Sequence, residues 1–258
     1  MGRIICTLSG GVASAHAAAL SIEKYGKSAV VLYFNDTKWE HPDLYRFLKD
    51  LSRYFDVPIT EDSDGRSVED VAWDNNALPN NRMPFCSRIL KANRLQKFYQ
   101  DTDILIFGIG PEEAHRAEGL QKVYKDVGTK SKKTATLEFP LIDGNIQKAD
   151  TWEWLKQTGI AVPELYLKGF SHNNCYGGCV RAGKKQWRRL FLAFPEIYAQ
   201  REQLEKEMSE HHGKRCTFLK DESLEEFRIR IQTNQLGKYY DDDFDGPSEC
   251  IGICTTQN

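Results

Sequence analysis

The sequence predicts an α/β protein: a doubly wound, mostly parallel sheet followed by a helical, cysteine-containing C-terminal part. Three observations carry this. Short apolar runs at residues 3–8, 29–34, 57–60 and 103–110 alternate with stretches of helical spacing, the βα rhythm of a parallel sheet. The run at 29–34 is apolar at every position and rich in β-branched and aromatic side chains, as expected of a strand covered on both faces. The rhythm stops near residue 142, which divides the chain into an α/β region, 1–145, and a helical region, 146–258.

The first strand, 3–8, runs straight into Ser9-Gly10-Gly11-Val12-Ala13-Ser14, and the alanine-rich stretch 15–25 then reads as a helix. A strand, a tight Ser/Gly turn and a helix make an anion site. Glycines let the backbone approach closely, and the first-turn N–H groups have no intrahelical acceptor. Ser9 and Ser14 add hydroxyls, and the lack of Gly-Lys-Ser/Thr excludes a Walker A loop. The second strand ends in Asn35-Asp36-Thr37, at the carboxyl edge where open α/β sheets bind ligands. Asp36 is there either a ligand to a nucleotide or a helix cap. Pro42 suits the first turn of a helix reaching residue 55, with Leu44, Phe47, Leu48 and Leu51 as its core face.

Residues 63–84 read as a long polar loop, a length that is often functional. The loop leads to Cys86 at the start of a basic helix, a position that favours thiolate; the plainer reading is a small buried hydrophobe. The fourth strand ends in glycines and is followed by Arg116, suited either to bidentate capture of phosphate or sulfate or to a solvated helix start. Lys130, Lys132 and Lys133 form a basic loop, and 137–141 reads as an edge strand because it contains Pro140.

In the second region, short helices are expected at 151–158 and from Pro163. Cys175 and Cys179 then enclose a glycine pair, and Cys250 and Cys254 repeat the spacing. Two such pairs point to one shared four-thiolate site for zinc or a four-iron cluster. Arg181, Lys184, Lys185, Arg188 and Arg189 surround Trp187; a solvated face over a core tryptophan is the favoured reading, a nucleic-acid grip the alternative. Helices are expected at 197–208 and, capped by Ser223, at 224–232, with an acidic turn at 241–245.

The bulk numbers set limits. A net charge of −2 demands no nucleic-acid partner, and no apolar run is long enough to span a membrane. With no basic-then-apolar leader the chain reads as cytoplasmic, so its seven cysteines are expected to serve metal or redox chemistry rather than disulfides.

Together these motifs resemble the PAPS reductase-like branch of the PP-loop ATP pyrophosphatases, the adenine nucleotide α-hydrolases, over residues 4–195. Ser9–Ser14 is similar to the superfamily's phosphate loop, and Asp36-Thr37 with Trp39-Glu40-His41-Pro42 to this branch's segment after its second strand. The run from Cys86 to Lys91, with Leu95, resembles the iron–sulfur reductases' Cys-Cys-x-x-Arg-Lys…Leu, with Ser87 for the second cysteine and Leu90 for the arginine. Cys175 and Cys179 stand where that family has Cys-x-x-Cys, one residue further apart. Glu249-Cys250 is similar to the reductases' C-terminal Glu-Cys-Gly-x-His, but Ile251 intervenes and Cys254 replaces the histidine ending.

The resemblance implies the HUP-like α-hydrolase fold and an adenine nucleotide, ATP or a relative, held with Mg2+ by Ser9, Gly10, Gly11, Ser14, Asp36 and Thr37. Asp36, Arg116 and Cys86 are the expected catalytic residues, and Cys175, Cys179, Cys250 and Cys254 the expected metal ligands, with Cys86 able to take the place of one tail cysteine. The expected reaction is activation at the α-phosphorus with pyrophosphate release, coupled to sulfur transfer onto a nucleic-acid or small-molecule acceptor. A sulfur-donor protein and a second copy of the chain are among the partners this reading admits. Two alternatives stand beside it: a thiol-dependent reductase of a sulfated adenine nucleotide with Cys250 as nucleophile, and a non-catalytic nucleotide- or nucleic-acid-binding accessory with a metal clip.

Overall fold

The computed structural model describes residues 2–125 and 135–237. Lys130, Lys132 and Lys133, the acidic turn at 241–245, and Cys250 and Cys254 lie outside the described residues.

Five parallel strands form one sheet in the order β3-β2-β1-β4-β5: β1 (Ile4–Leu8), β2 (Val30–Asp36), β3 (Ile59–Ser63), β4 (Ile104–Phe107) and β5 (Thr136–Glu138). Ile4 pairs with Val30 on one side and with Ile104 on the other, so β1 is central. The chain runs outward from β1 to β3, then crosses back to β4. The expected doubly wound α/β class is therefore what the chain adopts, and the crossover puts the switch point beside β1.

Helix α1 (Val12–Tyr25) links β1 to β2, and α2 (Pro42–Phe55) links β2 to β3. Between β3 and β4 come α3 (Val68–Asp74), α4 (Phe85–Ser87), a π-helical turn (Arg88–Ala92) and α5 (Asn93–Phe98). Then α6 (Ala114–Lys125) leads toward β5. Side-chain alternation explains the apolar strands. Ile4, Cys6 and Leu8 pack on one face with α1, α2 and Leu155; Ile5, Tyr33, Leu105 and Phe107 pack on the other with Leu95 of α5 and Leu120 of α6.

Two local expectations change. The polar stretch 63–84 contains α3, held by a capping box in which Ser67 and Asp70 satisfy each other's backbone N–H groups. Pro140 does not mark strand: β5 ends at Glu138, and Pro140 opens α7 (Pro140–Asp143), where its missing N–H is harmless.

The C-terminal helices are α8 (Lys148–Thr158), α9 (Glu164–Leu167), α10 (Lys184–Ala193), α11 (Pro195–His212) and α12 (Leu224–Gln232), the last capped by Ser223. Helix α8 packs on the sheet through Leu155, while α9–α12 build a third core cluster that also takes Trp39, Val71, Leu78 and Leu90 from the first half of the chain. Trp187 is fully buried in it, as favoured, and cannot stack a base. Among the described residues no helix is long and apolar enough to cross a membrane.

Candidate functional site: the carboxyl edge around the phosphate loop

Three strand ends meet at the crossover. Ser9–Gly11 follows β1, Asp36 and Thr37 close β2, and Gly108–Gly110 follows β4. Gly10 has φ +83, and a Cβ there would lie 2.5 Å from Leu44 Cδ1, so the turn requires glycine. Gly108 is needed for a different reason. A Cβ on it would sit 2.4 Å from Ser14 Cα and 2.5 Å from Ser14 N, so β4 and the first turn of α1 touch backbone to backbone.

The two serines organise the loop. Ser14 Oγ accepts the Ser9 N–H at 3.1 Å, lies 3.1 Å from Ser9 Oγ and donates to the Gly11 carbonyl at 2.8 Å. The Gly11 N–H donates to Ser9 Oγ at 3.3 Å. Gly11 is the N-cap of α1 and supplies no capping side chain. The Tyr166 hydroxyl accepts the Val12 N–H at 3.4 Å.

A solvent-open cleft lies against this loop, lined by Ser9, Ser14, Asn35, Lys91, Leu95 and Phe107. Lys91 is 6 % exposed, an ammonium drawn into the wall of the cleft by the π-helical turn. Asp36 is also buried. Burial pushes its carboxyl up, but the Lys38 ammonium at 2.7 Å, the Lys38 N–H at 2.8 Å and the Tyr45 hydroxyl at 2.9 Å outweigh that and hold it below the usual carboxylate range. Asp36 is thus an ionised acceptor bonded on both oxygens, Oδ2 by Lys38 Nζ and Oδ1 by the Lys38 N–H and Tyr45, and Thr37 Oγ1 donates to Glu40.

Arg116 does not line the cleft against Ser9 and Ser14. It pairs with Glu113, whose carboxyl burial pushes up against the pull of the guanidinium. Glu113 lines a second cleft on the far side of the α1 start, with Gly110, Lys148 and Trp152, so Arg116 stands one ion pair behind that cleft.

The cysteines form a separate neighbourhood. Cys175 and Cys179 are buried on a tight turn in which Cys175 and Tyr176 have φ of +50 and +55. Val180, next to Cys179, belongs to the third core cluster, and Tyr176 and Cys86 pack against it. The buried guanidinium of Arg201 lies 3.0 Å over the Trp39 ring and within electrostatic reach of Cys175. Its Nε has no hydrogen-bond partner among the described residues. Thiolate donors suit zinc or iron–sulfur. Among the described residues, however, no group of three or more His, Cys, Asp or Glu is arranged to hold a metal. Cys6 stands apart under the sheet, where burial pushes its thiol up to about 12.

Sequence reasoning missed Lys91, Glu40, Asn173, Tyr166 and Arg201. Lys91 had a local signal, its place behind Cys86 on a basic helix start. Glu40 had one too, its place three residues after Thr37; Asn173, Tyr166 and Arg201 reach the site only through contacts distant in sequence.

A family model described as the phosphoadenosine phosphosulfate reductase domain matches residues 3–180. No curated protein matches the chain. The matched segment begins at β1, runs through the phosphate loop and all five strands, and ends just after Cys179. With residues 3–180 of 258 matched, the chain belongs to the phosphoadenosine phosphosulfate reductase family of the PP-loop adenine nucleotide α-hydrolase superfamily.

Proposed function

We propose that this protein is a PP-loop enzyme that binds ATP or a related adenine nucleotide at the carboxyl edge and activates an acceptor at the α-phosphorus, releasing pyrophosphate, in a route to sulfur transfer. The observation that carries the reading is the Ser/Gly turn into α1, with Ser9 and Ser14 ordering the loop and buried Lys91 in the adjoining cleft. Backbone N–H groups, two hydroxyls and one ammonium fit a pyrophosphate. Asp36 and Thr37, one strand over, take the nucleoside end in this reading. An acceptor oxygen attacking the α-phosphorus breaks the bond to pyrophosphate; a sulfur nucleophile then displaces AMP from the adenylated acceptor. Mg2+ would share the phosphate charge. Cys175 and Cys179 would supply two thiolates to a metal centre completed by Cys250 and Cys254, or by Cys86 in place of one of them.

A second reading is favoured by the family's own description: reduction of a sulfated adenine nucleotide with Cys250 as nucleophile. Pyrophosphate release from ATP supports the first reading, and sulfite release from phosphoadenylyl sulfate with thioredoxin the second. Gly11→Asp tests what the two share. A carboxylate at the α1 N-cap repels the anion while tolerating the helix start, so nucleotide binding should disappear by calorimetry with the melting temperature nearly unchanged. Wild-type affinity in this variant overturns both readings.

A further inference from the structure

Two side chains outside both motifs tie the cysteine turn to the nucleotide edge. Asn173 is 1 % exposed and donates Nδ2 to the Gly10 carbonyl at 2.9 Å, across 163 positions of sequence. A carbonyl can only accept, which fixes the orientation of the amide. Its Oδ1 is left buried with no hydrogen-bond partner among the described residues. An amide side chain that gives up an acceptor to reach one backbone carbonyl is there for that contact.

Glu40 makes the second tie. Its Oε1 accepts from the Thr37 hydroxyl at 2.8 Å, and its Oε2 accepts the backbone N–H of Cys175 at 2.5 Å. One buried carboxylate therefore spans from the residue after Asp36 to the first cysteine. The turn that it holds is strained. Cys175 and Tyr176 both occupy the left-handed region, which side chains rarely adopt and which persists only where the surroundings over-determine it. Glu40 fixes the first residue of that turn, and Asn173 stands two residues before it.

We infer that Glu40 and Asn173 are positioning residues that couple the cysteine turn to the phosphate loop and to the end of β2. A change at Cys175–Gly177 then shifts Gly10 and Thr37, and a nucleotide on the loop tightens the turn by the same factor in return. The inference rests on the loop holding an adenine nucleotide, as proposed above.

The test uses the full chain, titrated calorimetrically with ATP and separately with phosphoadenylyl sulfate. Amide hydrogen exchange of residues 173–178 is followed with and without saturating nucleotide. In the wild-type protein, bound nucleotide should slow exchange of the Cys175 N–H by about tenfold or more. In Asn173→Ala and Glu40→Ala, affinity should fall about fivefold to tenfold, and the protection of the turn should vanish. Glu40→Gln keeps the shape but only one acceptor oxygen, so it should recover part of the affinity. A merely structural role would weaken folding in these variants and leave the nucleotide-dependent protection in place. Protection that persists in both alanine variants overturns the inference, as does a wild-type protein that binds nucleotide without protecting the turn. If an alanine variant does not fold, Glu40→Gln decides: unchanged affinity and protection overturn the coupling. A wild-type protein that binds neither nucleotide instead overturns the nucleotide reading on which the coupling stands.

Discussion

Gly108 shows how little room the phosphate edge leaves. A methyl group there would meet the backbone of Ser14 at 2.4–2.5 Å and of Ala13 at 2.7 Å, and backbone cannot swing aside as a flexible side chain can. Gly108→Ala should therefore cost about 1–3 kcal/mol of stability through overpacking. It should also weaken nucleotide binding, because the displaced atoms are the first turn of α1. Thermal melting and calorimetry check both, and a wild-type melting temperature would refute the close approach. At this scale the sequence was legible wherever the site is local. Ser9, Gly10, Gly11 and Ser14 lie within six positions, and their hydrogen bonds close within the loop. Asn173 was illegible because its partner is 163 positions away and an isolated asparagine carries no pattern. Arg116, on the helix after β4, is paired with its neighbour Glu113 at i−3, a contact a residue list alone does not show.

Among the elements, the strands and amphipathic helices followed from periodicity, and the errors fell where capping or proline decides. The Ser67–Asp70 capping box starts α3 inside a polar stretch too short to show a clear apolar face. Helix α11 carries a subtler feature. Glu205 is buried, and its carboxylate accepts the N–H groups of Phe218 at 2.8 Å and Leu224 at 2.5 Å, pinning the approach to α12. Burial pushes its carboxyl up to about 7, against the downward pull of those two donors. An acid raised in the folded state binds more protons there than in the unfolded chain. Stability is thus greatest below the ordinary carboxyl range and declines as pH rises toward about 7. Stability should fall between about pH 4.5 and pH 7 by an amount of order 1–3 kcal/mol, read as a lower melting temperature. Glu205→Ala should flatten that slope and lower stability at every pH, because two buried N–H groups lose their acceptor. An identical pH slope in the variant would remove Glu205 as its source.

Across the whole molecule, three core clusters divide the work. Two clamp the sheet from its two faces, and the third gathers α10–α12 around Trp187 together with Trp39 and Leu90 from the first half. The cysteine turn adjoins the third cluster through Tyr176 and Val180, while Cys6 belongs to the sheet. If Cys175 and Cys179 hold a metal with donors from the tail, removing it should loosen the third cluster first, since metal binding and local folding share one free energy. A chelator should then lower the melting temperature and speed amide exchange across residues 165–236, while the amides of β1, β2 and β4 stay protected. Cys175→Ser and Cys179→Ser should reproduce this and lose bound metal. Cys6→Ser should leave metal content alone, because a thiol pushed up to about 12 is no thiolate donor at neutral pH. Cys250→Ser and Cys254→Ser then separate the two proposed roles of the tail. Metal lost in both assigns them as ligands; metal retained in both, with activity lost in Cys250→Ser alone, assigns Cys250 as the nucleophile of a reductase.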